Sequence, residues 1–167
     1  MRRTALVFVL VLAAALTSAG LAQAQTKNFR THLTGAQERP DPRETQAQGQ
    51  AIFKVTEEGL EFRVNVANID NVFAAHIHCG DATVAGPVGV TLFMGSPASG
   101  PTNGTLAEGT ITAPDPGNAC GWADLDAVLA AIESGNTYVN VHTNDNVAPP
   151  NTGPGDFPGG EIRGQIT

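Results

Sequence analysis

The chain has 167 residues, sixteen of them acidic and nine basic, for a net charge of −7. That length suits one domain with a proper core and is short for two. Such acidity excludes an electrostatic footprint for nucleic acid or for an anionic membrane surface, and it reads as solubility rather than as a specific basic partner.

Residues 1–24 stand apart from the rest. Met1-Arg2-Arg3 is followed by an apolar run from Ala5 to Leu16 and then by small residues ending Ala22-Gln23-Ala24. A charged start, an apolar middle and an A-x-A site predict a signal peptide cleaved after Ala24. The apolar run is short for a membrane span and has no charged stop on its far side. No Cys lies near the cleavage site to accept a lipid, and the residues after Arg2-Arg3 do not support the twin-Arg route. The protein is therefore read as exported, periplasmic or extracellular, with a domain over residues 25–167 and no membrane span in the mature chain. Cleavage removes two basic residues and no acidic one, which leaves a net charge of −9.

From Asn28 onward the apolar residues mostly recur with period two, the mark of half-buried strands. Phe29, Thr31 and Leu33 alternate with Arg30, His32 and Thr34, so His32 reads as a surface residue. Residues 35–48 are polar and carry Pro40 and Pro42, which argues against continuous strand. Ala51, Phe53 and Val55 then face inward, Glu57-Glu58-Gly59 turns the chain, and Leu60, Phe62, Val64 and Val66 return along the same face. A turn over residues 68–71 precedes the stretch that organises the reading, Phe73-Ala74-Ala75-His76-Ile77-His78-Cys79-Gly80. There His76 and His78 share a face with Ala74, and the opposite face carries Phe73, Ala75, Ile77 and Cys79. The second face is apolar, so the two imidazoles are placed on the outer side of the sheet.

Residues 80–87 read as a loop, and Val88, Val90 and Leu92 as a strand. Residues 95–104 read as a surface stretch and residues 105–112 as a short strand. One helix is legible, with Asp124 as N-cap, Leu125, Val128, Leu129 and Ile132 on one face, and Gly135 just past its end. Trp122 before it reads as a packing residue. In the next strand Val139 and Val141 point inward and Tyr138, Asn140 and His142 outward. Residues 144–160 hold four Pro and two acids, too many residues for a plain connector; they read as a lid or wall beside a site, or equally as a surface excursion. In the last strand Ile162, Gly164 and Ile166 share one face and Glu161, Arg163 and Gln165 the other. Seven or eight short strands and one short helix predict a mainly β fold, an antiparallel Greek-key β-sandwich or flattened barrel.

His76, His78 and His142 all fall on faces opposite the apolar stripe, and adjacent strands would bring them onto one ion. Three neutral imidazoles without a thiolate suit copper or zinc and leave an open position; the rival is a hydrogen-bonded His cluster with no metal. Asn140, Asp145 and Glu161 are the expected outer partners that would orient a ring nitrogen. Arg163 reads either as an anion-guiding cation near the site or as a surface ion pair with Glu161. Cys79 and Cys120 are the two cysteines of an exported chain, which favours one disulfide, worth about 3–4 kcal/mol for a loop of about forty residues. The alternative makes Cys79 a soft ligand, but it points away from the His pair. No nucleophile elbow, phosphate-cradling loop, H-E-x-x-H motif or paired-carboxylate signature is present.

Four ordered motifs, Leu33-Thr-Gly-Ala-Gln-Glu38, Ala75-His-Ile-His-x-Gly80, Tyr138-Val-Asn-Val-His-Thr143 and Gly159-Gly-Glu-Ile-Arg-Gly-Gln-Ile166, together resemble the CHRD (chordin-type) domain family. The resemblance covers nearly all of the mature chain and is of the single-domain exported bacterial type. The resemblance carries over no settled activity; the chain is read as a binding module for an extracytoplasmic protein or small ligand of unknown identity. The His-x-His strand, the later Val-His strand and the Gly-rich, Arg-bearing last strand are also similar, in the same chain order, to Cu/Zn superoxide dismutase. That similarity would make His76, His78 and His142 copper ligands and Arg163 the guiding arginine. This sequence departs from it in having no metal-bridging His and no His/Asp zinc cluster. The main expectation is a non-enzymatic binding module with a copper or zinc site. Its rivals are a copper-dependent redox enzyme and a structural or adhesive extracellular domain.

Overall fold

Two-residue alternation of side chains lets one strand bury one face and hydrogen-bond both edges, and this chain repeats it eight times. The computed structural model describes residues 27–167, and the segment read as a signal peptide lies outside the described residues. The strands are β1 (Asn28–Thr34), β2 (Gln48–Thr56), β3 (Gly59–Asp70), β4 (Val72–Cys79), β5 (Val88–Met94), β6 (Pro101–Ile111), β7 (Thr137–Thr143) and β8 (Ile162–Gln165), with one helix, α1 (Leu125–Glu133), before β7. They form one sheet in the order β5-β4-β7-β8-β1-β2-β3-β6, antiparallel throughout.

The sheet curls until its edge strands β5 and β6 approach each other, giving a nearly closed barrel. Around the barrel the order β3-β6-β5-β4 is a Greek key, with three consecutive strands and an earlier one returning beside the last. The segment after β6 draws the seam together. Asp115 donates its backbone N–H to Gly89 O of β5 at 2.9 Å, and the Trp122 ring lies where a Gly89 side chain would stand. Trp122 thus packs, as its sequence context suggests.

Inward residues are those the alternation marks. Ala51, Phe53, Leu60 and Val64 are fully or almost fully buried, while Ile52 between them is 45% exposed. At the β2–β3 turn Gly59 has φ +140°, and a side chain there would press on the Ile111 carbonyl. The helix begins at Asp124, whose side chain accepts from Ala127 N at 2.9 Å, and it sends Val128 and Ile132 into the core. Gly135 beyond it has φ +72°. Cys79 and Cys120 form a disulfide with Cα atoms 5.8 Å apart, which removes Cys79 as a ligand.

Two elements differ from expectation. β3 runs on to Asp70 instead of turning at residue 68, because Asn68 and Asn71 take positive φ of 54° and 55°. A register shift between Val66 and Ile69 then carries Ile69 into the core. The lengthened β3 gives residues 101–104 a partner, so β6 starts at Pro101 rather than at residue 105. Pro101 is the first residue of an edge strand, where a missing N–H costs no ladder bond. Among the described residues no helix is long and apolar enough to cross a membrane.

Candidate metal centre

β4 and β7 are neighbours, and their register sets Ala74 opposite His142, His76 opposite Asn140 and His78 opposite Tyr138. Directly opposed residues share a face, so the three imidazoles gather on one side of the pair. A ring nitrogen of each lies within 4.8 Å of the others. Phe73 joins them. A register irregularity between Val72 and Ala74 turns it from the expected core side, and its ring centroid stands 6.1 Å from that of His142.

The face assignment holds for the imidazoles, but the face is not open. His78 and His142 are each only 7% exposed, and β7 is buried along its whole length. Two loops fold back over the sheet and cover it, and a period-two pattern carries no information about such a cover. Residues 80–87 are held by Arg163, which donates to Val84 O and Asp81 O at 2.7 Å each. Tyr138 holds the same loop, its hydroxyl donating to Gly86 O and accepting from Gly86 N. Residues 144–160 are held by Glu161, whose carboxylate accepts from Thr143 Oγ1, Gly155 N and Thr45 Oγ1. Both readings of this long loop hold in part: residues 155–160 form a wall, while residues 146–152 are an exposed excursion.

Each loop presents one carbonyl to one imidazole. His78 Nδ1 lies 2.9 Å from Gly86 O, and His142 Nδ1 lies 3.0 Å from Pro158 O. A carbonyl only accepts, so both Nδ1 atoms carry the proton and both Nε2 atoms carry a lone pair. Those two Nε2 atoms face each other at 3.3 Å. Two lone pairs so placed repel unless a proton or a cation lies between them. Burial disfavours the proton: it lowers the pKa of His78 to about 4 and, with the neighbouring imidazoles adding to the effect, that of His142 to about 3. A metal ion offsets the same burial cost through coordinate bonds to the lone pairs. Two nitrogens each about 2.0–2.1 Å from a tetrahedral ion stand roughly 3.3–3.4 Å apart, the separation found here. His76 is the looser member, half-buried, with its buried Nδ1 lacking any hydrogen-bond partner among the described residues. Burial lowers its pKa too. The donor set fits copper or zinc.

None of the expected outer partners bonds to an imidazole. Asn140 donates to Glu38 Oε2 at 3.3 Å, Asp145 accepts from Val147 N, and Glu161 serves the loop described above. Arg163 and Glu161 do not pair with each other. Arg163 is buried, its guanidinium carbon 3.5 Å from the centre of the Tyr138 ring. His32 is exposed on β1, away from the trio. The residues that orient the rings, Gly86 and Pro158, act through main-chain oxygens, which have no side-chain signature in a sequence.

The first, third and fourth sequence motifs meet at Glu38, Asn140 and Arg163, and the second supplies the His pair. A family model described as the CHRD domain matches residues 29–149. The chain belongs to the CHRD family. The match ends before β8, yet β8 pairs with β7 and β1 inside the same sheet, so the CHRD barrel here is completed by residues beyond it. No curated protein and no solved structure matches the chain.

Proposed function

We propose that the protein is an exported CHRD-domain binding module, residues 25–167, whose His76, His78 and His142 take one copper or zinc ion. The carrying observation is the facing pair of Nε2 lone pairs at 3.3 Å, each fixed by an Nδ1–H on a loop carbonyl. Burial keeps the rings neutral and ready to ligate, so binding need not displace protons near neutral pH. The half-buried side of His76 leaves a position for an exchangeable ligand. The disulfide agrees with an oxidising compartment, and the sequence of residues 1–24 supports export.

The material for the test is protein recovered outside the cytoplasm without a His tag, whose N-terminus is expected at Gln25. Metal analysis and titration with Cu(II) and Zn(II) should give one ion per chain. The double variant His76→Ala/His142→Ala should lose that ion, and its unchanged binding would sink the reading. Superoxide turnover by the copper form would move the protein to the redox-enzyme reading. A folded wild type that takes no ion would leave the structural or adhesive one.

A further inference from the structure

We propose that Asp115 is the fourth residue of this centre, the carboxylate that partners His76 from outside and biases the site towards a divalent ion. The inference rests on the three-His reading and adds to it a residue from the seam segment between β6 and α1. His78 and His142 each have a loop carbonyl on Nδ1, whereas the buried Nδ1 of His76 has no hydrogen-bond partner among the described residues. Directly opposite His76, on β5, is Thr91. Asp115 grips that residue with both oxygens, Oδ1 accepting from Thr91 N at 3.1 Å and Oδ2 from Thr91 Oγ1 at 2.7 Å.

The grip is built into the backbone. Asp115 donates its N–H to Gly89 O at 2.9 Å, and its carbonyl accepts from Asn118 N at 3.1 Å and from Asn118 Nδ2 at 3.0 Å. Pro114 and Pro116 flank it, and their rings restrict the chain on both sides. Opposed residues in a sheet have Cβ atoms about 4.5–5.5 Å apart, so a carboxylate lying on Thr91 is one bridging water or one ring rotation from His76. A positive charge stands on the other side of the trio, where Arg163 lies over the Tyr138 ring that stacks on His78. A dication gains twice what a monocation gains from one nearby negative charge, which is the basis of the divalent bias.

Asp115→Asn tests this with little change of shape, since the amide can still accept from Thr91 N. It should weaken Zn(II) and Cu(II) about 10–100-fold, the range for losing an outer carboxylate, and weaken Cu(I), measured by chelator competition, distinctly less. Thr91→Val keeps the charge but frees it, and should lose a smaller part of the divalent affinity. In the metal-free protein, Asp115→Asn should move the imidazole nitrogen shifts of His76 and leave those of His78 and His142 in place. Wild-type Zn(II) and Cu(II) affinities in Asp115→Asn, equal losses for Cu(I) and the divalent ions, or an unmoved His76 would overturn the proposal. If the His double variant loses the ion while Asp115→Asn keeps it, only the role of Asp115 falls. If the wild type takes no ion, both readings fall together.

Discussion

Arg163 illustrates how a side chain can serve a site without touching it. It is 2% exposed, and none of the ion pairs among the described residues includes it. A buried cation without a carboxylate on it is costly unless other groups solvate it. Here the Tyr138 face and the carbonyls of Val84 and Asp81 do so. The Tyr138 ring lies between two flat groups, stacking at 10° and 4.9 Å on His78 while holding Gly86 by its hydroxyl. Arg163 therefore acts on His78 through the loop carbonyl that fixes its tautomer. Arg163→Met should cost on the order of 2 kcal/mol in urea unfolding, the scale of hydrogen bonds to a charged group. It should also lower metal affinity about tenfold, the lower end for an outer-sphere loss. Arg163→Lys should not rescue either quantity, because an ammonium cannot stack flat and reach two carbonyls at once. Full rescue by Lys would mean that only the charge matters.

Among the elements, strands were far more legible than the segments between them. Period two picks out β1, β2, β3, β4, β5 and β7 with their faces, and an Asp cap with a four-residue apolar stripe picks out α1. The pattern fails where the sheet departs from it. The irregularity at Phe73 and the shift before Ile69 both move a side chain off the simple alternation; the first needs no special residue type, and the second falls at Asn68, whose positive φ suits asparagine without announcing a shift. The three imidazoles were visible for the same reason as the strands, since alternation puts them on one face. Their environment was not, because it is made by main-chain oxygens of Gly86 and Pro158 and by an aspartate from a seam segment that has no periodicity. That seam offers a test at this scale. Gly89 has no room for a methyl group beside the Trp122 ring, and overpacking of this kind costs about 1–3 kcal/mol. Gly89→Ala should be destabilised by that amount in urea, and adding Trp122→Leu should recover part of it. Strict additivity of the two changes would show that the contact does not close the barrel.

At the scale of the whole molecule, the polar layer over β7 and β8 sets how stability depends on pH, with two contributions of opposite sign. The imidazoles have folded pKa values below their ordinary 6.5, about 4 for His78 and about 3 for His142, because burial disfavours their charge. Between those values and 6.5 the unfolded chain binds more protons, so their contribution is complete above pH 6.5 and is lost as the pH falls. Glu38 works the other way. It is 1% exposed with Oε1 unpartnered, and burial, outweighing the nearby Arg163, pushes its pKa up from 4.5 to about 7. Between pH 4.5 and 7 the folded state holds the extra proton. Stability from Glu38 is therefore present at low pH and lost as the pH rises through 7. Comparing the metal-free wild type with Glu38→Gln isolates this contribution, since that of the imidazoles is common to both. The amide is neutral at every pH, so the variant's advantage should be smallest near pH 4.5. It should then grow to about 3 kcal/mol by pH 8, because each pH unit between the folded and unfolded values is worth about 1.4 kcal/mol. Urea unfolding at half-unit steps from pH 4.5 to 8 reads that difference directly. A gap that stays constant across the window would mean that Glu38 is already ionised in the fold, its charge carried by Arg163 and Asn140.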